Sequence, residues 1–265
     1  MEITRGTTAL VSGANGGIGV AIARALHRAG ATVVVSGRRP EALAPLAEEL
    51  GARAIVGDLA RRDDVRRICD EAGEVDVLVA NAAVSCSGEF LGFSEEELDR
   101  AMEVNVRAPM EMVRRLAPGM VARGRGHVVF ISSVAGKVAS PGTAVYSATK
   151  FALRGFSNGL RGDLDDKGVG VTCIYPGFIR EAGMFARTGV RLPGGVGTRS
   201  PDDVARAVLA AVRENPAEIT VAALEQRLSM LLGDLAPGAV PRLSKIIGGN
   251  DVAAQVVEKQ RPWRT

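Results

Sequence analysis

Short apolar runs alternate along this chain with longer stretches whose apolar residues recur every three or four positions. The runs at 7–11, 32–36, 54–56, 75–80, 126–132, 169–174 and 217–222 read as strands. The periodic stretches at 20–29, 40–50, 63–72 and 200–214 read as helices. Ser94 with Glu97 three residues on predicts a capping box opening the helix that carries Asn105. A further helix is expected through Met120, interrupted near Pro118. Another, holding Tyr146 and Lys150, should run to about Asp165. Ser200 and Pro201 supply a cap and a first-turn proline for the helix that follows. Strand alternating with helix argues an α/β fold, a doubly wound parallel sheet of about seven strands with helices on both faces.

Two regions depart from this rhythm. Residues 178–199 are rich in glycine and lack periodicity, so they read as a mobile lid or as a surface loop. Residues 224–265 form a C-terminal helical extension beyond a main domain of residues 1–223. Leu224, Leu228, Leu231, Leu232 and Leu235 make an apolar stripe at helical spacing, which Val240, Leu243, Ile246 and Ile247 continue. Such a stripe packs on the domain or on a partner subunit; alternatively it touches lipid or shapes an apolar entrance.

Composition narrows the class. A chain of 265 residues with 46% hydrophobic residues has ample material for one core. The net charge of +3 comes from 33 basic and 30 acidic residues, which is no nucleic-acid footprint. No apolar run approaches the ~20 residues of a membrane span, and the first residues show no secretory pattern. Cys69, Cys86 and Cys173 are odd in number and read as reduced thiols, which suits a cytoplasmic protein. No cysteine–histidine cluster has metal spacing, and His27 and His127 stand without matched partners.

The candidate chemistry is concentrated in a few residues. Tyr146 and Lys150 are four apart, one helical turn from each other, in a chain with two tyrosines and only five lysines. An ammonium beside a phenol favours the ionised form of a group that otherwise titrates near ~10. Ser133 lies thirteen positions upstream of Tyr146. Near the N-terminus, the strand at 7–11 leads through Ser12, Gly13, Ala14, Asn15, Gly16, Gly17, Ile18 and Gly19 into a helix. Glycines in such a turn let backbone amides approach a pyrophosphate, which the helix N-terminus then favours electrostatically.

Together these residues resemble the short-chain dehydrogenase/reductase family over roughly residues 5–223. Gly13, Gly17 and Gly19 match its cofactor loop. Asn81, Ala82 and Ala83 sit where the family has Asn-Ala-Gly, and Pro176-Gly177 matches its turn after the sixth strand. Asn105, Ser133, Tyr146 and Lys150 match its catalytic tetrad in order and spacing. The resemblance implies a Rossmann-like sheet and hydride transfer between a nicotinamide and a small-molecule carbonyl or secondary alcohol, apolar compounds included, with Tyr146 as proton donor or acceptor. By resemblance Lys150 holds the nicotinamide ribose, Ser133 binds the substrate oxygen, and Asn105 anchors a water that relays the proton outward. It also implies cofactor contacts from Asn15, Gly16 and Ile18, from Leu59 beside Asp58, from Asn81 and Ala82, and from Ile179 after Pro176 and Gly177. Gly37 falls where an acid would select NAD, and Arg38 and Arg39 follow at once, so NADP is expected over NAD. Two departures stand out: Ala83 replaces a glycine, and Glu181 stands where many members have threonine.

The family usually forms dimers or tetramers, so a homodimer or homotetramer is expected, with no nucleic-acid or membrane partner. Within the same family the alternatives are a 3-oxoacyl-carrier-protein reductase and a steroid or lipid alcohol dehydrogenase. From another class, a dinucleotide-binding sensor without catalysis would use the fold but needs no tetrad.

Overall fold

The computed structural model describes residues 1–192, 196–235 and 249–260. Seven strands form one sheet in the order β3-β2-β1-β4-β5-β6-β7. They are β1 (Thr8–Ser12), β2 (Thr32–Gly37), β3 (Arg53–Val56), β4 (Val77–Ala80), β5 (Gly126–Ile131), β6 (Val169–Pro176) and β7 (Glu218–Val221). Every neighbouring pair is parallel. The expected strands therefore all form, each with one or both ends shifted by one or two residues.

The pleat sorts the strand residues into two cores. Leu10, Val34, Leu78, Val128, Phe130 and Val171 face α3 (Arg62–Ala72), α5 (Ala108–Ala122) and α6 (Ala144–Leu164). Val11, Val33, Val35, Val79, Val129 and Ile174 face α1 (Gly17–Arg28), α2 (Pro40–Leu50) and α8 (Pro201–Glu214). Burial on both sides explains why the strands read as continuous apolar runs. It also places the C-terminal ends of β1 and β4, where the strand order reverses, at one open edge of the sheet.

The helix carrying Asn105 differs from expectation in two ways. Ser94 caps α4 (Glu95–Met102) with the capping box foreseen. The chain then makes a single wide turn over Glu103–Arg107, in which Ala108 N–H reaches back five residues to the Glu103 carbonyl. After it α5 runs unbroken through Pro118. Pro118 and Arg114 both lie exposed, so the Arg114 carbonyl that loses its helical partner is left to water.

His127, at the start of β5, is a structural group. Thr172 Oγ1 donates its one proton to the Pro216 carbonyl at 2.6 Å, so the contact of 3.0 Å to His127 Nε2 requires that nitrogen to donate. Burial pushes the imidazole down to about 3, which keeps it neutral at pH 7.

In the extension, α9 (Leu224–Leu235) packs through Met230 and through Gly233, beside Val138. Leu224, Leu228, Leu231 and Leu232 of the expected stripe point outward and are exposed. Val240, Leu243, Ile246 and Ile247 lie outside the described residues. The last helix, α10 (Gly249–Gln260), returns to the main body. Among the described residues no helix is long and apolar enough to cross a membrane.

Candidate active site

A cavity of about 930 Å³ opens above the C-terminal ends of the strands. It brings together every residue assigned to the cofactor from sequence, and Ser133, Tyr146 and Lys150 with them. Asn105 alone of the assigned residues does not line it; it is fully buried behind the wall.

The floor begins with the turn between β1 and α1. Gly13 has φ +67°, and a Cβ there would come within 2.7 Å of the Ala82 Cα. A Cβ on Gly19 would come within 2.4 Å of the Gly13 carbonyl oxygen. Backbone approach therefore demands both glycines, and the positive φ is a second reason at Gly13. Asn81 Nδ2 donates to the carbonyls of Ser12 at 3.0 Å and Gly13 at 3.2 Å, which ties the β4 end to the glycine turn. Ser12 Oγ accepts from the N–H groups of Asn81 and Ala82 at 3.1 and 3.2 Å. Sequence reasoning passed over Ser12, although a hydroxyl at the end of a buried strand was a signal for such a role.

Gly16 caps α1 without a side-chain acceptor, and no acidic residue occupies the first turn. The leading N–H groups of α1 thus face the cavity free of side-chain caps, with the positive end of the helix dipole behind them. This cradle has the chemistry of a pyrophosphate site. At the β2 end, Arg38 and Arg39 line the cavity, and Arg39 Nη2 donates to the Asn15 carbonyl at 3.5 Å. A Cβ on Gly37 would press on the Asn15 side chain at 3.0 Å, so an acid at 37 would be crowded as well as absent. Asp58, at the end of β3, is paired with Arg100 at 3.1 Å. The donor set fits a nicotinamide dinucleotide.

The catalytic candidates stand on three elements. Ser133 follows β5, and its Oγ accepts from Ala135 N–H at 3.2 Å, which orients the hydroxyl. Tyr146 and Lys150 occupy successive turns of α6, and the Lys150 Nζ lies 5.6 Å from the Tyr146 ring centre. Lys150 Nζ donates to the Ile131 carbonyl at 3.0 Å, which anchors the ammonium at the end of β5. Burial pulls Lys150 down to about 8. Burial also pushes the Tyr146 phenol up to about 12, with its hydrogen bond to Ser133 acting in the other direction. Contrary to expectation, desolvation and not the lysine neighbour sets the direction of the phenol's shift in the protein alone.

Asn105 sits at the centre of the wide turn, where its amide is used on both sides. Its Oδ1 accepts from Val84 N–H at 2.8 Å, and its Nδ2 donates to the Val84 carbonyl at 3.2 Å and to Thr149 Oγ1 at 3.3 Å. Thr149 in turn donates to the Tyr146 carbonyl at 2.8 Å. Asn105 thus holds the loop after β4 against the turn of α6 that presents Tyr146 and Lys150.

The roof consists of residues 178–192 and 196–199 with α10. The first two segments contain α7 (Gly183–Ala186) and are pinned by Gln226 of α9. Gln226 Oε1 accepts from Phe178 N–H at 3.1 Å, and its Nε2 donates to the Gly197 carbonyl at 2.8 Å. Glu181 adopts φ 69°, and its carboxylate pairs with Arg180 at 2.9 Å. From α10, Val256, Val257 and Gln260 line the cavity. None of these three carried a motif, and only a stripe of valines hinted that the last helix is covered on one side.

A family model described as short chain dehydrogenase matches residues 7–190. The ketoacyl reductase HetN of Nostoc sp. is 33% identical over 262 residues, covering 94% of this chain and 91% of its own length. A metagenomic short-chain oxidoreductase solved in complex with NADP aligns at a TM-score of 0.70 with 29% identity, covering 83% of this chain and 98% of that one. A 3-ketoacyl-(acyl-carrier-protein) reductase from Brucella melitensis, solved with NADH, aligns at 0.76 with 26% identity and the same coverages.

Proposed function

The chain belongs to the short-chain dehydrogenase/reductase family, and from that premise we propose that it is an NADP-dependent reductase of carbonyl compounds, or the corresponding alcohol dehydrogenase. The observation that carries this reading is the cavity that joins the glycine turn to Ser133, Tyr146 and Lys150. The N–H groups of α1 would hold the pyrophosphate, and Arg38 and Arg39 the 2′-phosphate that distinguishes NADP. Asp58, Leu59, Asn81 and Ala82 would flank the adenosine half; Pro176, Gly177 and Ile179 would flank the nicotinamide. When bound, the reduced cofactor would supply the hydride for carbonyl reduction, and the oxidised cofactor would accept it in the reverse direction.

The chain's own residues manage the oxygen and its proton. Ser133 and Tyr146 line the cavity and are hydrogen-bonded to each other, so both hydroxyls would reach and donate to the oxygen of one bound carbonyl. Tyr146 then releases its proton to the alkoxide that develops there. Lys150, charged below its titration near 8, stabilises the phenolate left behind and replaces the electrostatic role of water in a buried site. Asn105 positions α6 from behind and touches no reacting atom. In the alcohol-oxidising direction Tyr146 accepts the proton.

The three buried thiols suit a reducing compartment such as the cytoplasm. The outward leucines of α9 suit burial between copies in a homodimer or homotetramer. The Nostoc relative supports a second reading as a reductase of 3-oxoacyl thioesters.

The test is oxidation of NADPH and of NADH, followed by absorbance, against a panel of ketones, aldehydes and acetoacetyl thioesters. Turnover with wild type and its loss by about 10²–10⁴-fold in Tyr146→Phe, with NADPH binding retained, is the expected result. A Tyr146→Phe enzyme of unchanged rate would remove the phenol from the mechanism. A thioester preferred over every simple ketone would establish the second reading.

A further inference from the structure

The outer end of the cavity is closed by a helix that the cofactor-binding core does not require. Gln260, the last described residue of α10, is only 6% exposed although it is polar and near the end of the chain. A glutamine buried so far must be hydrogen-bonded. Its Oε1 accepts from Ser85 Oγ at 2.9 Å, and its Nε2 reaches the Met184 carbonyl at 3.5 Å. Ser85 belongs to the loop after β4 and Met184 to α7. One side chain therefore joins the floor loop, the roof segment and the C-terminal helix across the mouth of the cavity.

The neighbouring turn of α10 fits the same arrangement. Val256 and Val257 line the cavity. Gly142, with φ +75°, lies directly against Val257, and a Cβ there would come within 2.7 Å of the valine Cγ2. The loop before Tyr146 is thus shaped to admit α10. Val84, Val138, Met184, Phe185, Val256 and Val257 line the same cavity as Ser133 and Tyr146, with hydroxyls from Ser87, Ser140 and Thr143 among them. Among the described residues Arg187, exposed and already engaged, is the one charged side chain lining the roof segment beyond Glu181. A wall of this kind stabilises an apolar body, and a carboxylate set against it loses hydration that valine and phenylalanine side chains do not restore.

We infer that α10 is the specificity wall of the substrate compartment. Val256 and Val257 contact the non-reacting part of an uncharged, apolar carbonyl or alcohol, and Gln260 is a positioning residue that holds the helix against Ser85 and Met184. This rests on the oxidoreductase reading above for the reacting end of the substrate. The apolar wall itself can be tested by binding alone.

The experiment uses the full chain saturated with NADP and two probes, acetonaphthone and the same ketone bearing a ring carboxylate. Calorimetric titration should show the neutral ketone binding at least about 10-fold tighter than the carboxylate. Val257→Trp should weaken the neutral ketone by about 10-fold or more while the affinity for NADP stays within about twofold. Val257→Ala, which leaves α10 free to form, should also change ketone affinity and leave NADP binding alone. Gln260→Leu should raise KM for the neutral ketone by about 10-fold while kcat falls much less, a split that general loss of folded enzyme does not produce. Equal or tighter binding of the carboxylate, no measurable binding of the ketone, or ketone affinity indifferent to both Val257 variants would overturn the wall. Loss of turnover with every carbonyl, together with ketone binding still weakened by Val257→Trp, would instead overturn the oxidoreductase chemistry and keep the wall.

Discussion

The floor and the roof of the cavity are held by different kinds of contact. On the floor, glycines meet backbone atoms: Gly13 approaches the Ala82 Cα and Gly19 approaches the Gly13 carbonyl, both at distances no side chain can share. On the roof, flexible side chains do the joining, with Gln226 between Phe178 and Gly197 and Gln260 between α10, Ser85 and Met184. A backbone contact has no room to adjust, whereas a side-chain contact can be replaced by another of similar reach. On the proposed function, the part assigned to the cofactor is thereby rigid, and the part assigned to the variable end of a substrate is open to change.

Breaking the floor should have the largest effect. Gly19→Val drives a branched side chain into the Gly13 carbonyl, and loss of NADPH binding by more than about 100-fold is expected, measured by fluorescence titration. Retention of wild-type affinity would mean that the turn moves freely and that floor and roof do not differ in kind.

The cofactor's phosphate probes the floor more gently. Arg38→Leu with Gly37→Asp should weaken NADPH relative to NADH by about 1–3 kcal/mol, because charged hydrogen bonds to the 2′-phosphate are lost and a repelling carboxylate is gained. Equal affinities of the wild type for the two cofactors would withdraw the role given to Arg38 and Arg39. Titration of Lys150 offers a third probe. Its amine is charged below about 8 and neutral above, so carbonyl reduction should be level at lower pH and fall by up to about tenfold per unit above it. A rate that stays flat from pH 7 to 10 would show that the charge on Lys150 is not required.

The smallest effect is expected where floor and roof touch. A Cβ on Gly17 would meet the Ala182 Cβ at 2.3 Å, a contact between floor glycine and roof side chain. Gly17→Ala should therefore displace the roof, raising KM for a ketone by a few-fold, of the order of one misplaced methyl group, while Tyr146 chemistry persists. Pairing it with Ala182→Gly should restore KM; failure of that rescue would locate the damage in the floor itself.

Much of this molecule is legible in its sequence. The order of strands and helices follows from buried apolar runs alternating with amphipathic stretches, because a parallel sheet covered on both faces demands that pattern. Tyr146 and Lys150 can be paired because they share one face of one helix, and the glycine turn can be read because its spacing is local. Local signals mislead where tertiary context decides the outcome. Pro118 does not interrupt α5, since the carbonyl it orphans faces water, and the wide turn at Glu103–Arg107 leaves no mark in an otherwise helical pattern. The spacing of the leucine stripe of α9 implies a covered face, yet in the single chain the helix packs through Met230 and turns Leu224, Leu228, Leu231 and Leu232 outward.

The sequence by itself thus determined the fold class, the glycine turn after β1 and the pairing of Tyr146 with Lys150 on one helix, all of which depend on residues close together in the chain or on a repeating pattern. Only the tertiary structure decided that burial, more than the neighbouring lysine, governs the Tyr146 phenol. Only it placed Asn105 behind the wall, and only it carried Gln260 across 175 residues of sequence to meet Ser85 at the mouth of the site. Desolvation and long-range contact are properties of packed neighbours, and no spacing along a chain encodes which distant residues those neighbours will be.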